Sequence, residues 1–189
     1  MFDYLGVLIS VILGMAITHL LKGVNRLIQL RRKVRPYWVH LVWTLNVLIY
    51  VLGIWWGMFW WKRLETWSIE QFLFLTAYAI VLFLLAGMLY PAEMPEDHHC
   101  ETYFFENRRW FFGIWILALL IDIPETLLKG DAHLRDVPTQ YALFLGVSLA
   151  IGITGFASAN RRIHAVLAPA WLATSLVYLM FTSLEHIVT

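Results

Sequence analysis

Residues 2–36 read FDYLGVLISVILGMAITHLL followed by KGVNRLIQLRRKVRP. The first block carries a single charge, Asp3, while the second carries Lys22, Arg26, Arg31, Arg32, Lys33 and Arg35. An α-helix rises ~1.5 Å per residue, so about 20 apolar residues cross the hydrocarbon of a bilayer. An apolar block of that length ending in Lys and Arg reads as a membrane crossing that stops on its basic side. No Lys or Arg precedes Lys22. The start therefore lacks the basic region of a cleavable signal and is read as a retained first helix.

The same kind of block recurs at 37–61, 72–90, 110–128, 141–159 and 163–186. Hydrophobic residues make up 60% of the 189-residue chain and charged residues 14%. Soluble domains average roughly 45–50% and about 25%. In lipid each backbone polar group must be paired inside its own segment, so the blocks are read as helices. Strands of a barrel would alternate with period two, and these blocks are apolar all round. The expectation is an all-α single domain, a polytopic membrane bundle of six transmembrane helices. It would be built as three helical hairpins at 1–61, 72–128 and 141–186. The net charge of +1 implies no globally acidic or basic partner, and the single cysteine, Cys100, permits no internal disulfide.

Lys and Arg set the orientation. The six residues named above join Arg108, Arg109, Arg161 and Arg162 on one side. Lys62, Arg63, Lys129 and Arg135 fall on the other. The richer side is expected in the cytoplasm, which puts both termini outside. Glu93, Glu96, Asp97, Glu101 and Glu106 temper that bias in the third connection.

Trp55, Trp56, Trp60, Trp61 and Trp67 cluster near one end of helix 2, and Trp38, Trp43 and Trp110 lie toward the other. They read as two interfacial belts. Helix 5 is rich in small residues, with Gly146/Ala150 and Ser148/Gly152 as small-xxx-small pairs. Such pairs let a second backbone approach, so helix 5 is expected at the bundle centre or at a subunit contact. That points to a homo-oligomer or a membrane partner.

Helix 1 is expected to run on through residues 23–35, with Val24, Leu27, Ile28 and Val34 on one face. Pro36 would then open helix 2. A basic amphipathic turn from Lys22 to Arg35 beside a bilayer binds anionic lipids at ~1 kcal/mol per basic residue. The simpler alternative is plain topology anchoring. Four stretches carry a family likeness: GMAITHLLKGVNRLIQLRRKVRPYWVHLVW, WWGMFW, ENRRWFFG and TLLKG. Together they resemble a widespread group of small bacterial integral membrane proteins with six helices. The resemblance covers most of the first four helices. It implies a bacterial inner membrane and carries no activity.

An ionisable residue in hydrocarbon costs ~2.5 to 3.5 kcal/mol on insertion scales. Asp122 lies about 18 Å into helix 4 when counted from Trp110. Glu125 follows at i+3 on nearly the same face, with Pro124 between them. Proline cannot donate to the carbonyl of Leu120. Two carboxylates and a freed carbonyl suit a proton or a hard cation. Glu185, with Asp3 and His186, falls toward the same outer side. The alternative is that helix 4 ends early, or begins nearer Tyr103. Asp122 and Glu125 would then be ordinary interfacial groups.

Histidines form a second pattern. His19, His40 and His164 lie near the inner ends of helices 1, 2 and 6, and His98, His99 and Cys100 sit in EDHHCE. Imidazole and thiolate favour transition metals, and haem needs an axial ligand. The spacing matches no H-x-x-H or H-E-x-x-H motif, so hydrogen-bonded or interfacial histidine is the alternative. Ser10, Ser148, Ser158, Ser175 and Ser183 occur without a G-x-S-x-G elbow. Nothing resembles a nucleotide loop or a nucleic-acid module. The leading expectation is a small channel or a proton- or cation-linked transporter using Asp122, Glu125 and Glu185. A non-catalytic membrane subunit or scaffold, and a haem or metal redox protein on His19, His40 and His164, stand beside it.

Overall fold

The computed structural model describes residues 2–64, 67–94, 99–129 and 139–188, excluding the side chains of residues 2, 63, 139 and 181–188. Glu96, Asp97, His98, Arg135 and the side chains of Glu185 and His186 lie outside the described residues. Six α-helices follow in order: α1 (Phe2–Gln29), α2 (Trp38–Gly57), α3 (Ile69–Gly87), α4 (Cys100–Leu128), α5 (Thr139–Ala157) and α6 (Arg161–Val188). After α2 the chain tightens into a 3-10 turn at Met58–Arg63. All six helices are long and apolar enough to cross a membrane.

Local chemistry moves several boundaries from their expected places. Ser68 and Gln71 form a reciprocal capping box, so α3 begins at Ile69 and not at 72. It ends at Gly87, which leaves Leu89 and Tyr90 in a turn. The first helix does not run on to 35. It ends at Gln29, and Arg35 forms an isolated bridge with His99. Proline disfavours the helical conformation in the residue before it, and Pro36 follows Arg35. Val34 turns into the core from the intervening bend.

The fourth helix begins ten residues earlier than 110. Its first turn carries Glu101, which pairs with Arg161 at 2.7 Å. Arg108 donates to the carbonyls of Phe105 and Ser158. The first turns of α4 are thus a polar collar, and 110–128 is its apolar shaft. Pro124 and Pro169 each lie inside a continuous helix.

Packing follows from aromatic side chains. The α2 helix touches α1, α3, α4 and α6; α1 also lies along α3, α3 along α4, α4 along α5, and α5 along α6. Between α2 and α4, Trp43 meets Phe111, Phe112 and Trp115 edge-on at 5.5, 5.2 and 5.3 Å. Trp115 meets Trp171 of α6 at 4.6 Å. Edge-to-face pairs of this kind add about 0.5–1.5 kcal/mol each beyond area burial. Trp43 and Trp61, expected in interfacial belts, are fully buried. Trp38, Trp55, Trp56 and Trp110 are exposed, as belts require.

Helix α5 is not central. It packs against α4 and α6 at the side of the bundle. Two of its glycines make room for side chains of α4: a side chain at Gly155 would overlap Phe112, and one at Gly152 would press on Trp115 and Ile116. Large apolar side chains are exposed on all six helices, among them Val11, Leu52, Leu73, Leu120, Ile153 and Met180.

Candidate functional site

Polar groups gather at both ends of the bundle. At the end where α4 finishes, Asp122 lies six residues before Leu128, about 9 Å from the helix terminus. Its carboxylate accepts from Tyr78 of α3 at 3.1 Å and from Tyr141 of α5 at 2.6 Å. Tyr78 also meets Tyr50 of α2, hydroxyl to hydroxyl, at 3.1 Å, and Thr126 donates to Tyr141 at 3.2 Å. A phenol has one hydrogen to give. Since Tyr78 gives its hydrogen to Asp122, Tyr50 must be the donor to Tyr78. The polarity then runs Tyr50 to Tyr78 to Asp122 on one arm, and Thr126 to Tyr141 to Asp122 on the other. Both arms point inward at one carboxylate. Among the described residues Asp122 makes no ion pair.

Glu125 is placed differently. One turn on, it is buried and its Oε1 accepts from the Trp61 indole at 2.7 Å and from the Lys129 ammonium at 2.8 Å. The two carboxylates have separate hydrogen-bond partners: phenols hold Asp122, and an indole and a cation hold Glu125.

Tyr50, Tyr78 and Tyr141 are functional candidates that sequence reasoning passed over. One signal was available. Tyr78 sits at the midpoint of α3, far from either end of the helix, and a buried phenol there needs a hydrogen-bond partner.

At the opposite end, His40 donates through Nε2 to the carbonyl of Leu89 at 2.6 Å, and His19 to that of Tyr90 at 3.2 Å. The Tyr90 hydroxyl meets Thr44 at 2.9 Å. Gly23 leaves room for the Tyr90 ring, which any side chain there would overlap. Burial pushes the Tyr90 hydroxyl up to about 12, against the pull of its Thr44 hydrogen bond. His164 reaches the carbonyl of Ser158 at 2.8 Å and stands edge-on to Phe104 and Phe105. His19 and His40 share the 89–90 turn, while His164 lies across Phe104 from them. Each of the three histidines spends one ring nitrogen on a main-chain carbonyl. Among the described residues no group of three or more His, Cys, Asp and Glu is placed to hold a metal ion.

A cleft of about 730 Å³ opens beside this clasp, lined by α1 from His19 to Gln29 and by residues 90 to 94.

No protein-family model matches the chain, and no curated protein or solved structure matches it either.

Proposed function

We propose that this chain is a multi-pass protein of the bacterial inner membrane, with six crossings and both termini outside, and that it moves protons through a site centred on Asp122. The exposed apolar side chains on every helix support a lipid surround. The basic residues at the His19–His40 end support a cytoplasmic placement for that end.

The observation that carries the transport reading is the inward polarity of both hydroxyl arms at a half-buried carboxylate that, among the described residues, makes no ion pair. With Asp122 ionised, Tyr78 and Tyr141 both donate to it. When a proton arrives, the carboxyl gains one donor, and one arm must reverse to accept it. Reversal passes along that arm hydroxyl by hydroxyl, which is how a proton relay works. Intramembrane carboxylates mark such relays. Tyr141 and Thr126 open the path toward the outer end, and Tyr78 and Tyr50 carry it to the bundle interior. Glu125, held by Lys129, supports the helix end beside it.

Proton flux into liposomes carrying the purified protein tests this. The wild type should acidify the interior under an imposed potential. Asp122→Asn keeps the shape but cannot exchange a proton, so its flux should vanish. Tyr141→Phe removes a hydrogen bond worth about 1.5–3 kcal/mol, so flux should fall roughly ten- to a hundredfold. Equal flux in the wild type and in folded Asp122→Asn, or none in the wild type at any potential, refutes the proposal.

A further inference from the structure

The relay makes no use of the cleft at the basic end. Its α1 wall carries His19, Lys22, Arg26 and Gln29, spaced three or four residues apart and so on one face of the helix. Lys22 and Arg26 are exposed, and among the described residues neither makes an ion pair. They stand one helical turn apart, about 6 Å along the axis. The facing wall is Tyr90 to Met94, with Glu93 as its one charge. That wall is held firmly. The Leu89 and Tyr90 carbonyls are clasped by His40 and His19, and the Tyr90 ring rests on Gly23. Its volume falls in the range of ordinary small-ligand sites.

We infer that this cleft binds the phosphate of a membrane lipid headgroup between Lys22 and Arg26. Two cations at this spacing suit a phosphodiester, whose oxygens accept charge-assisted hydrogen bonds. Glu93 accepts from a hydroxyl or ammonium on the same headgroup. The choice of a lipid over a soluble phosphate comes from α1 itself. Leu21 and Ile28 lie together about 100–120° round α1 from Lys22, outside the cleft, and are 54% and 57% exposed, an apolar track on one side of the basic face along which an acyl chain can lie. Arg31, Arg32 and Lys33 lie beyond the cleft in the turn after α1. They attract any anionic surface without shaping a site. The inference rests on the membrane reading above.

The test uses the full-length protein in detergent, with bound adducts counted by native mass spectrometry. Phosphatidylglycerol, a diacylglycerol of the same chains and inorganic phosphate are compared. The expected result is one retained phosphatidylglycerol and no comparable diacylglycerol. Lys22→Gln/Arg26→Gln should weaken retention roughly thirtyfold. The charge-keeping exchange Lys22→Arg/Arg26→Lys should preserve most of it, and Arg31→Gln/Arg32→Gln should leave it unchanged. Equal weakening in the Lys22/Arg26 and Arg31/Arg32 neutral variants would overturn the site in favour of diffuse attraction. Equal retention of diacylglycerol would overturn it too. Displacement of the lipid by millimolar inorganic phosphate would reassign the cleft to a soluble phosphate compound. A chain that stays in solution without detergent refutes the membrane reading itself. A detergent-requiring chain indifferent to lipid phosphate refutes the cleft alone.

Discussion

Removing the Lys129 ammonium should leave Glu125 as a buried charge without its cation, and the cost can be worked from the geometry. The pair is 2.8 Å long, with side chains 8% and 5% exposed. Breaking a buried pair from one side costs about 3–5 kcal/mol, because the remaining charge stays desolvated. Lys129→Met should therefore shift the unfolding equilibrium by roughly two to four powers of ten. Glu125→Gln should cost less. The ammonium left behind sits just past the end of α4 and can extend toward water along its flexible stem. In the double variant Glu125→Gln/Lys129→Met both charges are gone, while the glutamine oxygen still accepts from Trp61. It should return to within about 1 kcal/mol of the wild type, since neutral replacements of buried pairs are often tolerated. The cycle then gives a coupling of at least about 2 kcal/mol. Reversible unfolding in mixed micelles, followed by circular dichroism, measures all four proteins. Additive costs, or a neutral Lys129→Met, would show that the contact does not hold the helix end. The same four proteins should keep their proton flux while folded, which separates the supporting role of Glu125 from that of Asp122.

Further outcomes follow from the same packing. Tyr90 keeps its proton to about 12 in the folded protein, while an unfolded tyrosine loses it near 10. Between those values the folded state binds more protons, so stability should fall as pH rises, by about 2–3 kcal/mol across the window. Tyr90→Phe should remove that part of the alkaline loss, and melting curves at pH 9 to 12 would show it. Gly155→Leu should push α5 off Phe112 at a cost of about 1–3 kcal/mol, and Phe112→Ala in the same chain should recover part of it. Reporter fusions at each terminus should both read as external; a cytoplasmic signal from either would overturn the proposed orientation.

The features differ in how far they could be read from the chain. The basic pairs at 31–32, 108–109 and 161–162 and the apolar blocks between them are local properties, visible in composition alone. The start of α4 was hidden because Glu101, Glu106, Arg108 and Arg109 look like a loop. Two of them find partners far along the chain: Glu101 pairs with Arg161, and Arg108 donates to the Ser158 carbonyl, 50 residues on. Asp122 stood out because a charge in an apolar block is costly. Its partners did not: Tyr78 and Tyr141 are 44 and 19 residues away, on other helices, and read as ordinary aromatics. The tryptophans divide the same way. Trp43 and Trp56 are one residue type on one helix, α2, yet one is enclosed by α4 and the other is exposed.

The sequence by itself determined six helices, their approximate places and the basic end of the bundle. Helix formation in an apolar block needs only partners within the block, because every backbone donor finds its acceptor one turn away. Only the tertiary structure decided that two hydroxyl arms converge on Asp122, that Lys129 and Trp61 hold Glu125, and that His19 and His40 clasp the turn before α4. Those contacts join side chains across helices, and apolarity cannot choose among such pairings, since lipid solvates an apolar face as well as another helix does. Ring shape, glycine clearance and the need of each buried polar atom for a partner make that choice.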